Sequence, residues 1–342
     1  MPTAANTAGN ATATIVGIDE AGYGPLLGPL VVSAVAFEVP MALLTSAADA
    51  AKGPDLWHVL RASIAREASK KDPRLAVADS KQLHGKTATR YGIALLERAA
   101  LTFLAQADRY PANLVSLLRI VCPHVVEQLP RYPWYARAEL PLPVECSKDD
   151  VAVQRNAVTS DMAAAGVRFR GAWVEVLCEG NYNHLVSATQ NKASVLFHQN
   201  MRLIQRIAER TAGRPLWIWA DRHGGRTSYL RPLMSAWDGA EFEVLDESPE
   251  HSGYRLTRSG TPWVIRFLVE GETHQLPVAL ASIFSKYIRE LFMICFNRYW
   301  CGRVPNLRPT AGYSQDGRRF LADIEAAATR QGLDRNWLIR VR

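Results

Sequence analysis

Two apolar stretches of the chain run directly into acidic residues. Thr14-Ile15-Val16-Gly17-Ile18 reads as a buried strand and continues into Asp19-Glu20 and the glycine-rich turn Ala21-Gly22-Tyr23-Gly24-Pro25. Leu216-Trp217-Ile218-Trp219-Ala220 reads as a second strand and ends at Asp221. Burying an unpaired charge is costly, so an acid at the end of an apolar strand calls for a partner. Carboxylates converging from several strand ends repel one another, and a hard divalent cation with oxygen ligands removes that repulsion. Two such ions can activate a water and stabilise the leaving oxygen of a phosphodiester. A further acid sits on a long helical run, where Ser282, Lys286 and Glu290 are spaced to share one face, with Arg289 beside them. Plainer readings exist for each. An acid after a strand is often a helix cap or turn residue, and Lys286–Glu290 is by itself a surface pair worth roughly 0.3–0.5 kcal/mol. Strict alternation also sends Asp19 and Glu20 to opposite faces; Ala21-Gly22 lets the strand bend or end there, so that both can serve one site.

The elements that must position these residues follow from periodicity. A β-rich run at 30–37, after Gly28-Pro29, predicts a hairpin partner for the first strand. Helical pattern covers 54–67, and Asp79-Ser80-Lys81 falls in a polar loop before a helix at 86–107. From about 105 to 170 the pattern breaks down. Pro123, Pro130, Pro133, Pro141 and Pro143 cluster there around Trp134 and Tyr135, which predicts an irregular insertion. Strands are expected at 172–177, 241–245 and 264–269, and a helix at 192–211. A long helix over 277–300 carries Pro277 in its first turn, where proline is tolerated. The loop Ala311-Gly312-Tyr313-Ser314 leads into an amphipathic helix at 318–329. Strands mixed with helices in this order predict an α/β fold, a mixed central sheet flanked by helices.

Composition narrows the function classes. The chain has 342 residues, 48% of them hydrophobic and 21% charged, enough to bury a sizeable core. The net charge of +7 favours polyanionic partners, because basic surfaces attract phosphate and release counterions on binding. Cys122, Cys146, Cys178, Cys295 and Cys301 show no C-x-x-C spacing, which argues against a disulfide framework or zinc knuckle and for free thiols in a reducing cytoplasm. Residues 1–13 are rich in Ala, Thr and Asn, without the charged and apolar regions of a secretory signal, and read as a disordered tail. The remainder, 14–342, reads as one catalytic domain carrying the 105–170 insertion. Its longest apolar run is broken by Lys286, Arg289, Glu290 and Arg298, so no membrane span is expected. His223 can assist proton transfer or simply fill a loop; Arg222 and Arg226 can meet phosphate or solvent. Ser80 lacks a visible His/Asp set for nucleophilic chemistry, and no protein partner is evident.

The run Gly17-Ile18-Asp19-Glu20-Ala21-Gly22-Tyr23-Gly24-Pro25 resembles the opening motif of the ribonuclease HII (type 2 ribonuclease H) family, usually G-x-D-E-A-G-R-G-P. Later segments match in order. Asp79-Ser80-Lys81-Gln82-Leu83 is similar to the family's D-S-K-x-L. Residues 281–290 are similar to its A-S-I-x-A-K-x-x-R-D, Gly312-Tyr313 to its K-G-Y segment, and Trp219-Ala220-Asp221 falls where the family has a strand-terminal aspartate. These matches run from residue 17 to about 320, and the middle of the chain matches poorly. The resemblance implies a divergent member with a ribonuclease H-like mixed sheet and a C-terminal helical portion. It implies metal-dependent hydrolysis of RNA in RNA–DNA hybrids or of ribonucleotides embedded in duplex DNA. The cut would fall 5′ of the ribonucleotide and leave a 3′-hydroxyl and a 5′-phosphate. Asp19, Glu20, Asp221 and Glu290 would hold two Mg²⁺ or Mn²⁺ ions, with Glu290 standing where the family usually has aspartate. Gly22 and Gly24 would let backbone approach the ribose 2′-hydroxyl, Tyr313 would pack at the RNA–DNA junction, and Lys81, Lys286 and Arg289 would hold phosphates or support the acids. Tyr23 replaces the family's arginine, which alters part of the reading of the ribonucleotide. Two other functions remain open at this stage: a duplex-binding protein without catalysis on the same scaffold, and a ribonuclease H-like DNA nuclease.

Overall fold

The structure is a computed structural model and describes residues 11–45, 53–211, 213–258 and 260–341. The main sheet is built from β1 (Thr12–Ala21), β2 (Leu30–Pro40), β3 (Arg168–Leu177), β4 (Leu216–Asp221), β5 (Glu241–Glu247), β6 (His251–Arg258) and β7 (Thr261–Leu268). Its strand order among the described residues is β3-β2-β1-β4-β7-β6-β5. Here β1, β4 and β7 are parallel neighbours, while β2 and β3 on one side and β6 and β5 on the other are antiparallel. The mixed sheet expected from the sequence is therefore present, with a parallel centre and antiparallel wings.

Alternation along the central strands divides two cores. Ile15, Val31, Val35 and Phe37 face the long helix α8 (Leu276–Cys301), whose Val278, Leu280 and Ile283 lie in the same cluster. Val16, Ile18, Val32 and Ala34 face helix α6 (Lys192–Arg210) through Val195, Leu203 and Ile207. Between α8 and β1 the approach is closest at Gly17. A Cβ there would stand 2.0 Å from the carbonyl carbon of Pro277, so only glycine lets the start of α8 settle on the strand that carries Asp19 and Glu20.

Several boundaries differ from the sequence expectations for identifiable reasons. Residues 1–10 of the expected tail lie outside the described residues, and Thr12 and Ala13 belong to β1, paired with Pro40 and Val39. In the expected helix at 54–67 only Leu56–Val59 is helical, capped by Asp55, and Ile64–Ala65 instead pairs with Leu75–Ala76. Asp79 caps a short helix α1 (Ser80–Leu83), and α2 begins only at Ala94 and ends at Gln106. The 105–170 segment is more regular than its prolines suggest: it holds α3 (Leu114–Val121) and the 17-residue α4 (Lys148–Ala164). Helix α4 buries only Val151, Gln154, Val158 and Met162, a stripe too thin to stand out. The buried Glu97 on α2 fastens this segment, accepting from the backbone N–H groups of Val144 (2.6 Å), Glu145 (2.6 Å) and Cys146 (2.8 Å) and from the Tyr287 hydroxyl (2.8 Å). Strand β6 was not anticipated. Helix α5 (Glu179–Thr189) follows β3, and α7 (Gly271–His274), α9 (Ser314–Arg330) and α10 (Arg335–Leu338) lie toward the C-terminus. All five cysteines are free thiols, and no described helix is long and apolar enough to cross a membrane.

Replacing Gly17 by Ala is expected to destabilise the protein by about 3 kcal/mol, the upper range for overpacking against backbone that cannot yield. A urea midpoint unchanged from wild type would contradict the close approach of α8.

Candidate active site

Parallel strands present their C-terminal ends along one edge, and loops leaving that edge converge. Register makes this concrete. Ile18 pairs with Ala220, so Asp19 and Asp221 follow at the same level, and Asp221 pairs in turn with Leu268 at the end of β7. The chain after β7 turns through Glu270 into α7, which opens with Gly271-Glu272. The Gly271 N–H donates to Asp221 Oδ1 at 3.1 Å, which ties this turn to the end of β4. Three neighbouring parallel strands thus deliver Asp19, Glu20, Asp221 and Glu272 to one place.

Burial raises all four acids, and the charge of Asp221 acts on each of the other three. Burial, then Glu20 and Asp221, hold the Asp19 carboxyl well above the usual carboxylate range, and Glu272 adds to this. Burial and Asp221 raise Glu20 to about 8 against the pull of Lys81. Burial raises Asp221, in spite of the N–H groups of Gly271 and Arg222 that it accepts from and the nearby Lys81. Glu272 is raised by burial and then by Asp221. Without a counter-cation the site favours protons, as buried like charges must.

Lys81 is the cation in this field. Burial works to lower its pKa, but Asp79, Glu272, Asp19 and Asp221 together raise it. Its position follows from the local fold: Asp79 caps α1 by accepting the Lys81 N–H at 3.0 Å, and Ser80 accepts the Ser282 hydroxyl of α8 at 2.9 Å. Ser282 also lies near enough to the Asp19 carboxyl to lower its pKa, and Ser285 donates to the Asp19 carbonyl at 2.9 Å. The Asp79-Ser80-Lys81 and Ala281-Ser282 segments, far apart in sequence, are therefore two sides of the same support.

Glu290, expected as the fourth acid, stands elsewhere. It accepts from Lys286 Nζ at 2.7 Å and Arg289 Nη1 at 3.4 Å, with His84 Nε2 at 3.9 Å. Burial would raise its pKa, but Lys286 and Arg289 bring it below the usual range, and no acid is among its main influences. The arrangement is an ion-pair group on the flank of α8, and the acid in the shared field is Glu272. Lys286 and Arg289, expected to hold phosphates or support the acids, both stand against Glu290. Lys286 is engaged with Glu290, and Arg289 is completely buried. Its guanidinium donates to Leu27 O (3.2 Å) and Ala311 O (3.1 Å), tying the turn after β1 to the loop before α9. The missed residue did carry a signal: like Asp19 and Asp221, Glu272 follows an apolar strand, the one expected at 264–269.

The remaining expected residues border the acids. Gly22 adopts φ +87°, and a Cβ there would meet Arg289 Nε and Pro29 O, both at 2.6 Å, so the turn is built around its absence. Gly24 is exposed with open space about it. Tyr23 is half-exposed, with Lys192 Nζ 5.5 Å above its ring; Glu20 and Arg226 are both close enough to act on its hydroxyl. Tyr313, just before α9, is 46% exposed and lies over the Arg289 guanidinium at 5.3 Å. It is an aromatic face presented to solvent from a rigid base. His223 is not part of this group. It is buried among Phe197, Tyr229 and Phe267, lies 2.7 Å from Asn200 Nδ2, and is lowered to about 4 by burial and Arg226. Arg222 is likewise structural, donating to Arg226 O, Pro249 O and Ser248 O.

All donors in the cluster are carboxylate oxygens, the set a hard divalent cation takes, and their raised pKa values are the strain that such an ion would relieve. Among the described residues no three His, Cys, Asp or Glu side chains stand already closed about an ion position.

Comparison with protein families and with curated proteins finds no match. Among the solved structures it resembles are ribonucleases H. A structure of the PCNA:RNase HII complex from Archaeoglobus fulgidus aligns at 14% identity over 96% of this chain and 94% of that one, with a TM-score of 0.40. Ribonuclease H2 from Pyrococcus horikoshii OT3 aligns at 12% over 95% and 92%, TM-score 0.43. Bst-RNase HIII in complex with Mn²⁺ aligns at 14% over 96% and 66%, TM-score 0.42.

Glu272→Gln is expected to weaken Mn²⁺ binding, read by calorimetry, by about tenfold or more, since it removes one negative charge from the group of four acids. Glu290→Gln is expected to change it less than about twofold, because its charge is already answered by Lys286 and Arg289. The opposite order would return Glu290 to the metal site.

Proposed function

We propose that the protein is a divalent-metal endonuclease of the ribonuclease H type, acting on RNA–DNA hybrids or on ribonucleotides embedded in duplex DNA. The observation that carries this reading is the group Asp19, Glu20, Asp221 and Glu272 at one edge of the sheet, four acids raised by burial, three of them also by the charge of Asp221. Mg²⁺ or Mn²⁺ bound there would supply an activated water and stabilise the leaving oxygen of a phosphodiester. The net charge of +7 suits a polyanionic substrate, and the sequence resemblance to ribonuclease HII gives the substrate class.

The chain's own groups then divide the work. The four carboxylates would hold the ions in a partly water-excluded setting, where charge stabilisation is stronger than in bulk water. Lys81, held by the Asp79 cap and the Ser80–Ser282 contact, offers a positive charge at the edge of the acid group, suited to a backbone phosphate. The turn Gly22-Tyr23-Gly24 brings backbone N–H groups to the substrate side, where a ribose 2′-hydroxyl can meet them. Tyr313 offers its exposed ring to the sugar following the ribonucleotide. Beside Tyr23, Lys192 and Arg226 add positive charge on the flank where the family's motif carries arginine. The cut is placed on the 5′ side of the ribonucleotide, leaving a 3′-hydroxyl and a 5′-phosphate.

Three labelled duplexes test the reading: an RNA–DNA hybrid, DNA with one ribonucleotide, and DNA alone, each with and without Mg²⁺ or Mn²⁺. Metal-dependent cleavage of either ribonucleotide-containing duplex and none of DNA alone is expected. Asp19→Asn is expected to reduce the rate by at least about a thousandfold, since the charged ligand is lost and the fold is kept. Binding without cleavage under all conditions would make the protein a duplex-binding module. Cleavage of all-DNA duplex at an equal rate would make it a DNA nuclease.

A further inference from the structure

The last residues of the described chain close over the glycine turn. Arg340 is 2% exposed, its guanidinium lying 3.9 Å from the centroid of the Tyr182 ring on α5. Its Nη1 donates to the Gly22 carbonyl, its Nη2 to the Tyr23 carbonyl at 3.1 Å, and its backbone N–H to the Leu26 carbonyl at 2.9 Å. The segment is itself anchored. Asn183 of α5 donates to Asn336 O (2.8 Å) and Ile339 O (2.7 Å) and accepts the Val341 N–H (2.8 Å). From the same helix Glu179 accepts the Gly28 N–H at 3.1 Å. The far side of the turn rests on Arg289.

A trans peptide is planar, with its carbonyl and N–H pointing in opposite directions. Fixing the Gly22 and Tyr23 carbonyls on Arg340 therefore turns the N–H groups of Tyr23 and Gly24 away from it. Neither N–H has a partner among the described residues, and Gly24 has open space about it. We propose that Arg340 is a positioning residue: from the C-terminal end it orients two adjacent backbone donors beside Asp19 and Glu20, where they can receive a ribose hydroxyl or phosphate oxygen of the substrate. This rests on the nuclease reading, whose own residues do not include Arg340. A neutral or shorter side chain at 340 leaves the two peptide planes free to rotate, and a lysine cannot span two carbonyls with the fixed fork of a guanidinium.

The test compares wild type, Arg340→Ala and Arg340→Lys by hydrogen exchange and by cleavage of a duplex carrying one ribonucleotide. In Arg340→Ala, exchange at the amides of Leu26, Leu27 and Gly28 is expected to rise about tenfold or more while β2 and α8 are unchanged. The kcat is expected to fall about a hundredfold with KM little altered, as for a misplaced contact made at the reacting centre. Millimolar guanidinium is expected to restore part of the Arg340→Ala rate, which a general loss of stability would not allow; Arg340→Lys should keep the folded state and recover less than half of the lost rate. Unchanged exchange at residues 26–28, or wild-type kcat in Arg340→Ala, overturns the proposal. If wild type leaves every duplex uncut while exchange still rises in Arg340→Ala, the clamp on the turn holds and the nuclease reading falls.

Discussion

Repulsion among buried carboxylates is the constraint around which this structure is arranged. Burial raises Asp19, Glu20, Asp221 and Glu272, the charge of Asp221 adds to this at the other three, and among the described residues no ion pair joins any of the four to an arginine or lysine. A protein retains such an arrangement against its own stability only if the fold around it is firm. The firmness here comes from three parallel strands in register, from Gly17 allowing α8 to lie against β1, and from Ser282 and Ser285 holding the end of that strand. The basic residues nearby are kept one step removed. Lys81 stands at the edge, Arg289 is turned to backbone carbonyls, and Lys286 is occupied by Glu290. That separation leaves the carboxylates available to a cation from solution.

Much of this was legible from residue order alone. The strand ends at Asp19-Glu20 and Asp221 were plain because apolar runs stop abruptly at acids, and the long helix was plain because its proline sits where a helix tolerates it. Glu272 was harder to see. It lies four residues past its strand, within a short helical turn, and Glu290 offered a more familiar pattern, an i+4 partner on a helix face beside a motif. The register of β4 against β7, which no local pattern encodes, is what brings Glu272 to the edge where Asp221 stands. The middle segment was obscured for a related reason. Its regularity depends on Glu97, which gathers three backbone N–H groups from residues 144–146, and on a helix whose buried stripe is one residue wide. Both are tertiary facts. Strand β6 escaped notice because its alternation of Tyr254 and Leu256 is interrupted by charged neighbours and finds meaning only between β5 and β7.

The turn after β1 shows how distant parts of the chain serve one short segment. Arg289 from α8, Glu179 from α5, Gly312 from the loop before α9 and Arg340 from the C-terminal segment all hydrogen-bond to it between Gly22 and Gly28. Most of the turn's carbonyls are thereby spoken for, while its outward N–H groups stay open. Local sequence shows that such a turn is possible, through its glycines. What orients it is long-range, and is supplied by cations buried at considerable cost in desolvation. The exposed ring of Tyr313 belongs to the same construction, since it rests on Arg289.

The most direct measurement of the central claim is a crystal of the full chain soaked in Mn²⁺, with the ion located by its anomalous scattering. A peak is expected at the C-terminal edge of β1, β4 and β7, within bonding distance of carboxylate oxygens from Asp19, Asp221 and Glu272 or Glu20. A peak beside Glu290 and away from Asp221, or no peak at millimolar Mn²⁺, would contradict it.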